Sequence, residues 1–396
     1  MPQTTGPRRD RIRAVIPDVY LGRWPPGRLN SMTDVPGVLV HTQSIEPDSQ
    51  VHTGVTTILP RRDWYQHSSF AGVFRFNGCG EMTGSHWLSE TGLLSSPVVI
   101  TATSSVGEGY RGVTAYAYRR HRERGSDVDL FVLPVVAETY DGFLSDPARF
   151  AVTPEHVIEG IEGATSDAVR EGNTGGGTGM ICHRFKGGTG SSSRLVRGYG
   201  TDGQPVDYTV GVLVQANYGV SETLRIGGVP VGRILQQEGK LPAGPGREAG
   251  AAEPRKDGSI IIVVATDAPL IPIQLQRLAA RATVGLAKVG GYGSNNSGDI
   301  FLAFSTANKV PFADASMESP AAGAGVAVDG GYAPAARVVT MSDNDTINGL
   351  FEAAADATEE AIYNAMFMAE SMTGYKGRHV PALDLDEVKR IVESRL

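Results

Sequence analysis

The stretch that decides the fold is PRKDGSIIIVVATDAP, residues 254–269. Its first half is polar and ends a long segment, residues 236–258, that is rich in glycine, proline and charge. At Ser259 the composition changes to a run of β-branched residues, 260–264, which predicts a strand buried on both faces. One small hydroxyl residue therefore stands between an exposed linker and a core strand.

Two explanations of Ser259 stay open on physical grounds. Gly258 and Ser259 can simply form a turn that leads into the strand. Alternatively, cleavage of the peptide bond before Ser259 would free its α-amine. Such an amine titrates near pH ~8 in short peptides and can act as the general base beside its own hydroxyl. A preceding glycine suits this chemistry because glycine tolerates backbone strain.

The rest of the chain alternates apolar strands with helical patterns. Apolar runs that predict strands covered on both faces begin at Val55, Val98, Asp129, Thr209 and Asp299. Helical spacing predicts helices over residues 153–172, 273–290, 349–372 and 384–396, the first with Thr153 as its N-cap. Neither side of the linker looks self-sufficient, so we predict one α/β domain, residues 1–396, interrupted by an exposed loop.

Composition limits the classes of function. The formal net charge is -7 and no dense basic stripe is present, which argues against a nucleic-acid partner. No apolar run approaches the roughly 20 residues of a membrane span, and the first residues lack the apolar core of a signal peptide. We therefore expect a cytoplasmic protein without a membrane partner. Cys79 and Cys182 are far apart and are expected to be buried free thiols.

Several other chemistries find little support. The glycine-rich residues 171–194 could cradle a phosphate, but they match neither the phosphate-loop motif nor the dinucleotide-binding motif. The eight histidines form no metal-binding motif, and the GxSxG nucleophile elbow is missing from the sequence. We therefore expect neither a metal ion nor an organic cofactor.

A series of motifs resembles the L-aminopeptidase/D-Ala-esterase family, which includes the β-peptidyl aminopeptidases and a nylon-oligomer hydrolase branch. The resemblance covers nearly the whole chain, from DVPGVLVHTQSI (34–45) to DNDTINGLFEAAADATEEAIYNAM (343–366). Between these ends the motifs are NGCGEMTG (77–84), AETYDGFL (137–144), EGNTGGGTGM (171–180), FKGGTGSSSR (185–194), VQANYG (214–219), DGSIIIVVATDAPL (257–270) and SGDIFLAFSTAN (297–308). Their length and order make the match specific.

The resemblance implies a precursor that cuts itself between Gly258 and Ser259. The products would be a long chain, residues 1–258, which ends in the mobile linker 236–258, and a short chain, residues 259–396. The two chains would stay together in a four-layer αββα sandwich. That fold resembles the N-terminal-nucleophile hydrolases in its layers and differs from them in connectivity. We further expect a homo-oligomer, such as a tetramer, of these processed heterodimers.

The resemblance also implies roles for individual residues. Ser259 matches the nucleophile, and Ser297 and Asp299 match the pair that orients its hydroxyl and its amine. Some relatives carry glutamate where Asp299 stands, so the shorter side chain alters that network. Asn217 matches the amide that stabilises the oxyanion, a role suited to a neutral donor. On structural grounds alone, Asn217 could instead cap the end of a strand.

Glu138 and Tyr140 match the substrate pocket. The carboxylate of Glu138 would bind the ammonium group of the substrate, and the Tyr140 hydroxyl would lie near the reacting carbonyl. Alternatively, Glu138 could pair with an arginine such as Arg225.

The favoured function is a serine hydrolase that releases N-terminal residues from small peptides, amides or esters through an acyl-enzyme. An acyl transferase or amide ligase that uses the same acyl-enzyme remains an alternative. So does an endo-amidase of the nylon-oligomer hydrolase type.

Overall fold

The computed structural model describes residues 9–123, 131–242, 258–311 and 336–396. Its strands are β1 (Leu39–Ile45), β2 (Thr53–Leu59), β3 (His67–Gly78), β4 (Leu93–Leu94), β5 (Val98–Ala102), β6 (Val135–Thr139), β7 (Ile181–Cys182), β8 (Phe185–Lys186), β9 (Gly188–Tyr199), β10 (Pro205–Tyr218), β11 (Gly258–Thr266), β12 (Gly298–Pro311), β13 (Met372–Thr373) and β14 (His379–Val380). Its helices are α1 (Ile12–Val15), α2 (Ser85–Thr91), α3 (Val106–Glu123), α4 (Pro154–Glu162), α5 (Val231–Gln237), α6 (Pro272–Val289), α7 (Asn348–Phe367) and α8 (Leu385–Glu393).

Two sheets form the centre of the molecule. The larger has the order β4-β3-β12-β11-β10-β9, and the smaller has the order β1-β2-β5-β6. In the larger sheet β11 pairs antiparallel with β10 and parallel with β12. A parallel pair needs a crossover connection, and α6 supplies it between β11 and β12.

The side chains of β11 show how the layers are stacked. Ile260, Ile262 and Val264 pack into the core beneath α6 and α7, whereas Ile261, Val263 and Ala265 pack into the core between the two sheets. All six are fully buried, which explains why the strand is apolar on both faces. Helices α3 and α4 cover the outer face of the smaller sheet. The layers are therefore helix, sheet, sheet, helix, which confirms the predicted αββα sandwich.

Most predicted elements are present, but several bounds differ. The helix predicted over 349–372 ends at Phe367, and the strand predicted from Asp129 is β6, while residues 129 and 130 lie outside the described part of the chain. Helix α4 was expected to reach residue 172 but ends at Glu162, because the chain turns at Gly163 and Thr165 pairs with Val40 of β1. Cys182 is a buried free thiol as expected, but Cys79 is exposed. The predicted linker, residues 236–258, begins inside α5, and residues 243–257 lie outside the described part of the chain.

The described helices do not include one long and apolar enough to cross a membrane. The cytoplasmic location stays a prediction.

Candidate active site

Ser259 lies at the beginning of β11, between the two neighbouring central strands. It pairs with Asn217 near the end of β10 and with Gly298 at the start of β12. Its side chain is on the same face as Ile261 and Val263, the face that meets the smaller sheet. The residue is 7% exposed, so the hydroxyl lies in a nearly closed site between the sheets.

Two main-chain groups hold the Ser259 hydroxyl. Oγ donates a hydrogen bond to the carbonyl oxygen of Gly258 at 2.8 Å, and it accepts one from the N–H of Gly298 at 3.0 Å. The hydroxyl is thus directed at the carbonyl of the peptide bond that precedes its own residue. The N–H of Gly298 on β12 holds the hydroxyl from the other side and keeps it in this orientation.

Gly258 has a conformation that favours glycine. Its φ is +76°, in the left-handed region. A Cβ atom at this position would lie 1.9 Å from the carbonyl oxygen of Asn217, on the neighbouring strand. The backbone before Ser259 therefore passes closer to β10 than any side chain would permit.

Asn217 joins the two sheets. Its Oδ1 accepts the N–H of Ile181 at 2.8 Å, and its Nδ2 donates to the carbonyl oxygen of Tyr140 at 3.0 Å. These bonds reach β7 and the segment after β6, so the amide does more than cap the end of β10. A carboxamide nitrogen carries two N–H groups, so Nδ2 can donate a second hydrogen bond to a ligand.

Ser297 and Asp299 form a buried pair on the parallel neighbour β12. The Ser297 hydroxyl donates to Oδ1 of Asp299 at 2.7 Å, and both residues are almost fully buried. Burial raises the pKa of Asp299, while the Ser297 hydroxyl and the backbone N–H of Ile260 lower it. In the intact chain the contact of β12 with the Ser259 hydroxyl runs through the N–H of Gly298, which lies between the two.

Glu138 and Tyr140 lie at the end of β6, on the opposite sheet. Glu138 is 4% exposed; Oε1 accepts the N–H of Glu81 at 3.0 Å, and Oε2 accepts the hydroxyl of Thr103. The Tyr140 ring is partly exposed and its hydroxyl end lies against Gly142, where a Cβ atom would be 2.2 Å away. Glu138 is therefore buried, and the partly exposed Tyr140 is linked to Asn217 through its backbone carbonyl.

Residues 79–83 connect the two halves of the site, and sequence reasoning did not assign them a role. The N–H of Cys79 donates to the carbonyl oxygen of Ser297 at 3.2 Å, and that of Thr83 to Val136 at 2.9 Å. Between them, Gly80 packs on Gly298, where a Cβ atom on Gly80 would be 3.0 Å from the Gly298 Cα. The only available signal was the NGCGEMTG motif, whose glycines allow this close approach.

Asp141 is a second buried carboxyl group near Glu138 that the sequence did not single out. Burial, with a smaller contribution from the charge of Glu138, raises the pKa of Asp141 to about 6, and a hydrogen bond from Thr53 opposes that shift. The residue also lines a small pocket together with Ser104 and Ser145. The end of β6 and the segment after it therefore carry two buried acidic side chains, Glu138 and Asp141.

Within the described residues we find no group of three or more His, Cys, Asp or Glu side chains that could hold a metal ion. The glycine-rich residues 175–177 are also buried and packed rather than open to a ligand. A Cβ atom on Gly176 would lie 2.0 Å from Oε1 of Gln215. Close packing between the sheets explains these glycines.

Comparisons with known proteins agree with this architecture. The chain is 43% identical over 384 residues to the β-peptidyl aminopeptidase BapA of Sphingosinicella microcystinivorans, covering 93% of this chain and 89% of that protein. It is 38% identical to BapA of Sphingosinicella xenopeptidilytica, covering 93% and 88%.

Two solved structures are also similar to the chain. A β-aminopeptidase of a Burkholderia species has a TM-score of 0.81 at 40% identity, covering 97% of this chain and 99% of that one. The L-aminopeptidase D-Ala-esterase/amidase of Ochrobactrum anthropi, described as a variant of the N-terminal-nucleophile hydrolase fold, has a TM-score of 0.80 at 38% identity, covering 97% and 98%. The family model for peptidase family S58 matches residues 30–380. The predicted family and fold are thus confirmed, and the chain belongs to peptidase family S58.

Proposed function

We propose that this chain is a self-processing serine aminopeptidase and amidase. It cuts itself between Gly258 and Ser259 and then releases N-terminal residues from small peptides, amides or esters. The observation that carries the proposal is the 2.8 Å hydrogen bond from Ser259 Oγ to the Gly258 carbonyl oxygen, because it places the hydroxyl next to the bond to be cut. The names of the relatives support the aminopeptidase activity.

In maturation, Ser259 Oγ attacks the carbonyl carbon of Gly258. The bond from that carbon to the Ser259 nitrogen breaks, the nitrogen takes up the hydroxyl proton, and an ester links the two residues. Water then hydrolyses the ester and leaves a carboxylate on Gly258 and a free α-amine on Ser259. The products are the chains 1–258 and 259–396, which remain associated because β11 pairs with β10 and β12 pairs with β3, both strands of the long chain.

In turnover, the same hydroxyl attacks the substrate. The freed α-amine takes the proton of Oγ and returns it to the leaving amine, as a general base and then a general acid. The second N–H of Asn217 stabilises the oxyanion, and water hydrolyses the acyl-enzyme. Ser297 and Asp299 hold the amine in position, since Asp299 already accepts the N–H of Ile260, the residue next to Ser259.

Glu138 selects substrates with a free amine. Its carboxylate is almost fully buried and accepts the Glu81 N–H and the Thr103 hydroxyl. An ammonium group satisfies such a carboxylate better than a blocked amide does, because a buried charge needs a partner. The relatives are named for β-peptides and for L- and D-configured substrates, so the first panel should contain β-alanyl, L-alanyl and D-alanyl anilides and amides.

Intact-mass analysis under denaturing conditions tests the self-cleavage. Wild type should give two fragments, the shorter beginning at Ser259, and Ser259→Ala should give one intact chain. An active wild type that consists of one uncut chain contradicts the proposal.

For the substrate class, free-amine anilides should be cleaved and their N-acetyl forms should not. Glu138→Gln should raise KM chiefly for free-amine substrates and leave the processing rate unchanged.

The alternatives predict different outcomes in the same assays. Equal rates on acetylated and free substrates would favour an endo-amidase. Transfer of the acyl group to an added amine, in preference to water, would favour an acyl transferase or ligase. The expected homo-oligomer of processed heterodimers, such as a tetramer, is tested by light scattering on the purified enzyme.

A further inference from the structure

Tyr218 has a buried hydroxyl that the proposed mechanism does not use. It is the last residue of β10 and pairs directly with Gly258, the residue before the proposed cut. The side chain is 5% exposed, and its hydroxyl has no hydrogen-bond partner among the described residues. Buried hydroxyl groups are nearly always hydrogen-bonded, so an unpaired hydroxyl on the residue that pairs with Gly258 requires an explanation.

The groups around this hydroxyl are known. The ring of His183 packs edge-on against that of Tyr218, with 5.0 Å between their centroids. Burial raises the pKa of Tyr218 well above its usual value. Smaller contributions come from the charges of three neighbours, Cys182, Tyr363 and Asp299. The hydroxyl therefore keeps its proton. Burial lowers the pKa of His183 to about 4, so this neighbour is neutral at pH 7.

Asp299 lies on the same face of the sheet as Tyr218. Asp299 pairs with Ile260, whose side chain points toward the helices, and Tyr218 pairs with Gly258, two residues earlier on the same strand. The Asp299 carboxylate accepts the Ser297 hydroxyl and the N–H of Ile260. An ionised carboxylate can accept about four hydrogen bonds, so it has room for a further donor.

We propose that Tyr218 is a positioning residue for Asp299, and that its hydroxyl donates to the Asp299 carboxylate once the chain is cut before Ser259. This inference rests on the proposed self-cleavage. The cut turns Gly258 into a chain end and frees the position on β11 directly opposite Tyr218, so the Tyr218 side chain can reach past the start of β11 toward Asp299 on β12. At the same time it creates an α-amine on Ser259, which needs a fixed carboxylate nearby to hold its orientation.

Tyr218→Phe tests the proposal because it removes only the oxygen atom. Since the hydroxyl has no described partner in the intact chain, the variant should cut itself at the wild-type rate. Its kcat should fall by about tenfold or more with KM little changed, as expected for the loss of one hydrogen bond to a charged group. The acidic limb of its kcat/KM profile should move to higher pH, because a carboxylate that loses a donor binds its proton more tightly.

Tyr363→Phe is the matched control. Tyr363 is also buried, but its hydroxyl donates to Glu359 at 3.0 Å and accepts the N–H of Gly227 at 3.1 Å. The Tyr363→Phe variant should therefore have a lower melting temperature but an unchanged pH profile of kcat/KM. Three results would overturn the inference: a processed Tyr218→Phe enzyme with wild-type kcat and pH profile, a folded variant that no longer cuts itself, or the same pH shift in Tyr363→Phe. An uncut, active wild type would overturn the proposed function together with this inference.

Discussion

Replacing Gly258 with alanine should stop self-cleavage without unfolding the protein. The φ of +76° costs an alanine about 1–2 kcal/mol relative to glycine. The larger effect is steric. The added Cβ would lie 1.9 Å from the Asn217 carbonyl oxygen, whereas ordinary van der Waals contacts begin at 3.4 Å. The two strands must therefore separate by about 1.5 Å, the difference between these distances, at the residue that carries the scissile carbonyl.

The expected size of the effect follows from that displacement. A misplacement of about 1 Å between reacting groups can lower a rate by roughly 10²-fold. The hydroxyl of Ser259 is fixed from the other side by the N–H of Gly298, so it does not follow the displaced carbonyl. We therefore expect the processing rate of Gly258→Ala to fall by roughly 10²-fold or more.

Gly203→Ala provides the control for this experiment. Gly203 has nearly the same backbone angle, with φ +75°, but an added Cβ there meets nothing within 4 Å. It reproduces the conformational cost without the clash, so it should process at the wild-type rate. The assay is the time course of intact mass after synthesis at a fixed temperature. Processing of Gly258→Ala at the rate of Gly203→Ala would refute the steric argument.

Three further predictions concern the site. Ser297→Ala and Asp299→Asn should each slow both processing and turnover by roughly tenfold or more. Processing is measured by intact mass and turnover by anilide hydrolysis. A wild-type rate in either variant would show that its residue does not help to position the nucleophile. Asn217→Ala should lower kcat by roughly 10²–10³, and an unchanged kcat would exclude its oxyanion role.

The third of these predictions concerns Asp141. This residue binds its proton up to pH about 6 in the folded chain, against 3.8 without the protein environment, so ionising it costs folding stability. Denaturant unfolding of wild type and Asp141→Asn should show the wild type losing roughly 3 kcal/mol relative to the variant between about pH 4 and pH 6. A difference independent of pH would contradict the burial argument.

The sequence predicted strands best where burial on both faces requires β-branched residues. The run 260–264 lies within β11, and the apolar run from Thr209 lies within β10. It did not predict β9, whose GTGSSSRLVRGY sequence looks like a loop. There the small residues serve packing, because α7 lies directly on the strand. A Cβ on Gly190 would be 2.0 Å from the Ala361 carbonyl oxygen.

Helix α3 escaped prediction for the same reason. Its sequence contains Gly109 and Gly112, which normally weaken a helix. Both meet the core closely: a Cβ on Gly109 would lie 2.7 Å from Val136, and one on Gly112 would lie 2.5 Å from Val157. Close approach between layers is a property of the assembled fold, and a local pattern carries no information about it.

The sequence likewise indicated some features of the site and not others. Ser259 was visible as a break in composition, and the other predicted residues came from motif resemblance. The sequence did not indicate the pairing register of the strands. It places Ser259 opposite Asn217 on one side and Gly298 on the other. The part played by residues 79–83 depends on contacts with both sheets, so no neighbouring residue in the sequence could have indicated it.

The intact chain also suggests how one site can serve two reactions. Under the proposed mechanism the Gly258 carbonyl occupies the place that a substrate carbonyl takes later, beside the Ser259 hydroxyl and the Asn217 amide. Glu138 is then the point of difference, because the Gly258–Ser259 peptide bond that is cut in processing carries no ammonium group, whereas an aminopeptidase substrate does. Processing should therefore be indifferent to the charge of Glu138, whereas turnover of free-amine substrates should depend on it. Residues 79–83 tie the carboxylate to the strand that orients the nucleophile, through the Glu81 N–H at one end and the contacts of Cys79 and Gly80 with Ser297 and Gly298 at the other. That coupling gives a physical reason why recognition of the amine and the placement of the reacting hydroxyl would be linked in one enzyme.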